Sequence, residues 1–159
     1  MHPIATVPDA TTRGVLDGAT FADAFSVDVD EIGLGSRTAA ERAFGAAPPW
    51  ITGLLAVRNF VVRPLGLKGT EVTGLKVVKR IGIFPCVSES PDRIVLGLND
   101  AHLDFRVIVD VASITEHRQR VTATTVVKPH NVFGRAYLAT IMPFHKRIVP
   151  AMLAQVVKS

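Results

Sequence analysis

Apolar and polar residues alternate along several short stretches of the chain, and this period of two predicts β-strands. In residues 22–29, Phe25, Val27 and Val29 alternate with Ser26 and Asp28, which indicates a half-buried strand. Four later stretches are also rich in strand-forming residues and are separated by short polar turns: 80–87, 93–98, 102–112 and 119–128. Short connections between consecutive strands are typical of antiparallel hairpins.

Two short helices are expected between the first strand and the others. After a glycine-containing turn at 30–36, Thr38 and Glu41 have the spacing of a capping box, and that helix ends near Gly45. Pro48 and Pro49 then begin a second helix, which carries apolar residues at steps of three to four: Trp50, Leu54, Val57 and Val61. Residues 68–79 have no clear period, and we interpret them as a loop.

The period becomes helical after Asn131 and stays so almost to the end of the chain. One apolar stripe consists of Phe133, Tyr137, Ile141, Phe144 and Ile148, and a second stripe consists of Leu138, Met142, Val149, Leu153 and Val156. A helix that is apolar on two sides is expected to be buried on two sides. Pro143 and Pro150 each lack a backbone donor, so each is expected to bend or split this helix.

This order of elements predicts an α+β domain, in which helices gather on one side of an antiparallel sheet of about six to seven strands. We expect an extended, loosely held N-terminal arm at 1–21 and a single domain at 22–159, because no repeat or linker divides the rest. A chain of 159 residues is long enough to bury a core of its own.

Composition narrows the classes of function. Hydrophobic residues make up 48% of the chain and charged residues 20%, so a globular fold is favoured and apolar surface is left over for a cavity or an interface. No apolar run is long enough for a membrane span, and the first residues do not resemble a secretory signal. We therefore expect a cytoplasmic protein. The net charge of +4 is spread diffusely, which argues against nucleic-acid binding.

The single cysteine, Cys86, excludes an intramolecular disulfide and a zinc site built from cysteines. We interpret it as a small buried residue of a strand. No glycine-rich phosphate loop or nucleophile elbow is present, and no cofactor is expected.

His102, Asp104 and Arg106 fall on one face of a predicted strand, and they are the first candidates for chemistry. In one interpretation they form a solvent-facing ladder in which Asp104 pairs with both neighbours. In the other they face a cavity mouth, where Asp104 holds His102 as a general base and Arg106 binds an oxygen anion.

His130 and Asn131 lie where the last strand gives way to the long helix. Asn131 is a natural N-cap, while His130 beside exposed backbone donors would suit a carboxylate or a phosphate. His145 falls among Lys146 and Arg147, and we expect it at the surface or at the rim of a site. His102 and Asp104 alone are too few ligands for a metal site, so none is predicted.

Several short motifs together resemble the bacterial domain-of-unknown-function family 2867, over about residues 22–156. They are Pro49-Trp50, Arg58-Asn59, Gly66-Leu67, Asp100, His102-Leu103-Asp104-Phe105-Arg106, His130-Asn131, Gly134-Arg135-Ala136-Tyr137 and Pro143-Phe144-His145. That family is similar to the START-like (SRPBCC) superfamily. The resemblance implies a helix-grip fold, in which an antiparallel sheet of seven strands curls around a C-terminal helix above an apolar cavity. It also implies a short-chain-dehydrogenase-like partner protein.

The leading hypothesis is therefore the binding of a small lipophilic molecule between the sheet and the C-terminal helix. The residues expected to line the site are Phe133, Tyr137, Ile141, Phe144 and, from the helix after Pro49, Trp50. The alternatives are a cyclase or isomerase that transfers protons through His102 and Asp104, and an interaction module that forms a homodimer through the second helix stripe.

Overall fold

A computed structural model describes residues 1–46, 80–82, 84–99 and 102–158. The predicted helix after Pro49 with Trp50, the loop at 68–79 and the motif residue Asp100 lie outside the described residues. The described elements are β1 (Ile4–Thr6), α1 (Ala10–Arg13), β2 (Phe21–Val29), α2 (Ser36–Phe44), β3 (Arg80–Ile81), β4 (Phe84–Glu89), β5 (Arg93–Asn99), β6 (Leu103–Thr115), β7 (Arg118–Pro129), α3 (Val132–Leu153) and α4 (Gln155–Lys158).

The strands form one seven-stranded sheet in the order β1-β2-β7-β6-β5-β4-β3. Every neighbouring pair is antiparallel, and the hairpins from β4 to β7 follow the chain as predicted. Strand β2 comes before these hairpins in the chain and pairs with β7, from Phe21 opposite Val127 to Val29 opposite Gln119. With α3 packed on the sheet, the chain has the predicted α+β class and a helix-grip-like layout.

The main core lies on the side of the sheet that α2, α3 and α4 cover. Side chains of alternate strand positions meet the buried residues of these helices there, and the core includes Phe25, Val27, Ile94, Leu96, Val107, Val109, Val121, Ala39, Ala43, Phe44, Val149, Met152, Leu153 and Val156. Cys86 of β4 belongs to this core and is buried, as predicted. The alternation of the strands therefore places their apolar positions toward the helices.

The N-terminal segment covers the other face of the sheet. Strand β1 pairs with β2 along the edge, and the Asp9 side chain caps α1 by accepting from the Thr11 backbone N–H. Beyond α1, Leu16 packs in a second buried cluster with Val95, Ile108 and Val126. The second part of the expected loose arm therefore packs against the outer face of the sheet through Val15, Leu16 and Ala19, whereas Ile4 and Val7 in its first part are exposed.

Three local predictions differ from the structure. Helix α2 begins at Ser36 after Gly35, and no side chain caps it, so Thr38 lies inside the first turn and the predicted capping box is wrong. The strand expected at 80–87 is interrupted at Gly82, whose φ of 59° makes a turn between β3 and β4. Helix α3 continues through Pro143 and Pro150 to Leu153, so neither proline splits it. Ala139 and Lys146, whose carbonyls lose a donor to these prolines, are both exposed, so water can reach this side of the helix.

Within the part of the chain that the structure describes, no helix combines the length and the apolar character that crossing a membrane requires.

Replacement of Leu16 tests the packing of the N-terminal segment. Leu16 is only 7% exposed, so Leu16→Ala should lower the free energy of unfolding by about 2 to 4 kcal/mol in a urea titration. Val7 in the same segment is 84% exposed, and Val7→Ala should change it by no more than about 0.5 kcal/mol. Equal effects of the two changes would contradict the packing of this segment on the sheet.

Candidate functional site

The surface of the sheet beneath α3 is mainly apolar, and one row of residues interrupts it with polar side chains. Residues in register on β2, β7 and β6 form rows across the sheet. Four of the rows on the helix-facing side are Phe21–Val127–Phe105, then Asp23–Thr125–Val107, then Phe25–Ala123–Val109, then Val27–Val121–Val111. Asp23 and Thr125 are the polar members of these rows, and they are neighbours on adjacent strands.

His145 of α3 lies over this polar row. Its Nε2 is 3.0 Å from Asp23 Oδ1, and the two side chains are only 14% and 19% exposed. With the Nε2 proton in place, the imidazole donates to the carboxylate. The Phe21 ring meets the imidazole edge-on, with 6.3 Å between ring centroids. The expectation that His145 lies at the surface or rim is thus corrected, because the histidine is a partner of a largely buried carboxylate.

Two oxygen atoms of this cluster have unused hydrogen-bonding capacity. Asp23 Oδ2 and Thr125 Oγ1 are both buried, and neither has a hydrogen-bond partner among the described residues. Directly opposed residues of an antiparallel pair have Cβ atoms about 4.5–5.5 Å apart, so both oxygens belong to one small region. A buried polar group without a partner costs about 1–3 kcal/mol. The region can therefore gain stability from a polar group that reaches both atoms.

The rotation of α3 follows from a close contact at its first turn. A side chain on Gly134 would overlap the His102 carbonyl oxygen, so the helix touches the end of β6 at a residue that has none. Successive helix residues are about 100° apart, and the side that includes Gly134 also carries Leu138, Ile141, His145 and Val149. This inward side fixes which residues reach the sheet.

The lining predicted for the site is corrected accordingly. Phe133 is 66% exposed and Phe144 50% exposed, so these two rings point away from the sheet. Tyr137 and Ile141 are half-buried. The predicted stripe is offset from the inward side around the helix axis, by almost the angle between successive residues. Phe133 and Phe144 are exposed because several faces of this helix carry apolar residues, and apolar periodicity alone does not choose between them.

Aromatic rings extend the apolar surface beyond the polar row. Phe44, Phe84 and Phe105 pack edge to face in a chain, with centroid separations of 6.1 and 6.0 Å. Phe84 and Phe105 are only partly buried and lie against the main core. The surface around Asp23 thus combines one carboxylate, one hydroxyl and a largely aromatic and aliphatic surround.

The five polar residues predicted as a site come together on the opposite face of the sheet. His130 Nε2 lies 2.9 Å from Asp104 Oδ1. Asn131 Nδ2 donates to His102 Nδ1 at 2.9 Å, and Asn131 Oδ1 accepts from the Gly134 N–H at 2.9 Å, which is the N-cap predicted for this residue. The structure therefore pairs Asp104 with His130, whereas the catalytic interpretation paired it with His102.

Arg106 completes this outer cluster. It is partly buried, and its Nη1 donates to the Phe105 carbonyl at 2.8 Å. Burial lowers the pKa of the Arg106 guanidinium, while the charge of Asp104 acts in the opposite direction. The cluster links the end of β7 to the start of β6 and to the start of α3, which is a structural role. In the described ranges, no three side chains of the His, Cys, Asp or Glu type converge as metal ligands would.

The sequence also contains a signal for the inner cluster. Asp23 has the same strand parity as Phe25, and Thr125 has the same parity as Ala123. An acidic residue in an inward position of an otherwise apolar strand is the informative exception. His145 follows Ile141 by one helical turn, and this spacing places it over the same surface.

A family model described as "Protein of unknown function (DUF2867)" matches residues 15–152 of the chain. No curated protein matches it significantly. A solved structure described as a conserved protein from Geobacillus kaustophilus is similar, with a TM-score of 0.38 and 12% sequence identity over 87% of this chain and 93% of that one.

The Gly134 contact is testable by adding one methyl group. Gly134→Ala should lower the free energy of unfolding by about 2 kcal/mol, because the overlap with backbone outweighs the higher helix propensity of alanine. Thr140→Ala, at an exposed position of the same helix, should change it by no more than about 0.5 kcal/mol. Thermal and urea unfolding measure both, and a neutral Gly134→Ala would contradict the docking of α3 at this point.

Proposed function

The chain belongs to the DUF2867 family of proteins of unknown function, and from the site itself we propose that it binds a small lipophilic molecule between the sheet and α3. The observation that carries the proposal is the pair of buried oxygens, Asp23 Oδ2 and Thr125 Oγ1, in an apolar surround. Native proteins satisfy the great majority of their buried polar atoms. A bound molecule that offers a polar group to these atoms accounts for the exception.

The surround has the composition of a ligand site. Such sites are mostly apolar and aromatic, with a few polar groups that fix the orientation of the ligand. Here the apolar part comes from half-buried side chains of the strands and of α3: Phe21, Phe84, Phe105, Leu138, Ile141 and Met142. Asp23, Thr125 and His145 supply the polar part. The proposal also agrees with a START-like origin of the family, since a cavity between sheet and helix is the usual site in that superfamily.

Enlarging a side chain near His145 is the direct test of binding. Titration of the protein with the neutral fluorescent lipophile N-phenyl-1-naphthylamine should give saturable fluorescence. Ile141→Trp, on the inward side of α3, should weaken binding at least about tenfold, because the indole takes the space of the ligand.

Phe144→Trp is the matched control on the same helix, since the native ring is 50% exposed. We expect it to bind the probe as the unaltered protein does. Wild-type protein that binds no probe, or an Ile141→Trp variant that binds it normally, would contradict a site between the sheet and α3.

A second candidate function is proton transfer by His145. The Asp23 carboxylate accepts from one imidazole nitrogen, and this leaves Nδ1 able to take a proton from a bound substrate. The pair would thus do the work that the sequence interpretation gave to Asp104 and His102. This candidate shares the ligand space and adds one chemical step.

Hydrogen exchange separates the binding protein from the enzyme. A molecule that co-purifies with the protein is extracted, incubated with fresh protein in D₂O and examined by mass spectrometry. An enzyme should introduce deuterium at carbon, and His145→Gln should slow this by at least about a hundredfold while the variant retains the molecule. Exchange at the same rate in the variant would exclude His145 as the base.

A further inference from the structure

We propose that the molecule bound at Asp23 and Thr125 is a neutral lipophilic alcohol. The inference rests on the proposed function, and it specifies the polar end of the ligand. It is drawn from what each buried oxygen can still do, given the hydrogen bonds that are already made.

The Asp23 carboxylate has one oxygen engaged and one free to accept. Oδ1 meets His145 Nε2 at 3.0 Å, whereas Oδ2 is buried without a partner among the described residues. A carboxylate oxygen accepts hydrogen bonds and has none to give. The group that meets Oδ2 must therefore donate a hydrogen.

Thr125 adds the second requirement. Its hydroxyl can donate one hydrogen bond and accept others, and Oγ1 is buried without a partner in the same part of the structure. The hydroxyl of an alcohol donates to Asp23 Oδ2 and, through its own oxygen, accepts from the Thr125 hydroxyl. One neutral group then satisfies both buried atoms.

The other common polar ends of lipophiles fit less well. A carboxylate, as in a fatty acid, has no hydrogen to offer and carries the same charge as Asp23, so it is repelled. An ammonium can donate, yet its transfer from water into a largely apolar layer costs solvation. In the four rows described above, from Phe21–Val127–Phe105 to Val27–Val121–Val111, Asp23 is the ionisable residue, and it already has His145 as its partner. An ammonium would therefore share this carboxylate with His145.

Competition between molecules of equal chain length tests the inference. 1-Decanol, decanoate and decylamine are each titrated against the complex of the protein with N-phenyl-1-naphthylamine. We expect decanol to act at concentrations at least about tenfold below decanoate and about threefold below decylamine, since one buried hydrogen bond to a charged group is worth such factors. A ranking led by decanoate or decylamine would overturn the inference, and this comparison requires no variant.

Two pairs of substitutions assign the preference to the site. Asp23→Asn should reduce the gap between decanol and decanoate to less than about threefold, because the amide no longer repels the acid. Asp104→Asn removes the same charge from the opposite face and should leave the gap unchanged. Thr125→Val keeps the shape of the side chain and should weaken decanol about fivefold, while Thr124→Val on the outer face should have no such effect.

The outcomes also separate this inference from the proposed function. Wild-type protein that binds no probe contradicts both. If the protein binds the probe but binds decanoate as tightly as decanol or more tightly, the proposed lipophile site stands and the alcohol is ruled out. A decanol preference that survives Asp23→Asn would likewise overturn the role given to this carboxylate.

Discussion

The antiparallel register between β2 and β7 determines which side chains share each face of the sheet. A shift by one residue would turn Asp23 to the outer face and bring Ala22 or Ala24 inward, since side chains alternate along a strand. An ion pair on the outer face also stabilises this register. Arg120, directly opposite Asp28, donates from Nε to Asp28 Oδ1 at 2.7 Å and from Nη2 to Oδ2 at 3.0 Å. The Arg120 hydrogen bonds hold the pKa of Asp28 below its ordinary value. An exposed pair of this kind adds modest stability, yet its geometry fits one register.

The two faces of the sheet treat their acidic residues differently. On the outer face, carboxylates such as Asp110 have a guanidinium opposite them, and Arg93 contacts both of its oxygens. On the inner face, Asp23 has a single imidazole against one oxygen. A largely buried carboxylate with one oxygen unsatisfied is an exception that calls for a physical explanation, and the proposed ligand supplies one. Asp104 of the histidine cluster at the start of β6 also meets one imidazole through one oxygen, but among the described residues it has no buried oxygen without a partner, and in this it differs from Asp23.

The fold was largely predictable from the sequence, and the site was not. Strand-forming runs separated by short turns predicted the strands from β4 to β7, and the switch to a helical period located α3. The facing of α3 depends instead on a backbone contact at Gly134, which leaves no apolar signal. Asp23, Thr125 and His145 are far apart along the chain, and only the pairing of β2 with β7 brings them together. His102 and Asp104 attracted attention because they are near neighbours in sequence, which says little about their partners.

The topology also has a consequence for the order of assembly during synthesis. Hairpins from β4 to β7 join neighbouring segments, and such local contacts form readily. Strand β2 leaves the ribosome early but must wait for β7, and the contact between Asp23 and His145 closes a separation of 122 residues. Loop closure of this length carries an entropic cost before any contact repays it. The polar cluster is therefore among the last features to form, and an incomplete nascent chain leaves the apolar face of the sheet open to chaperones.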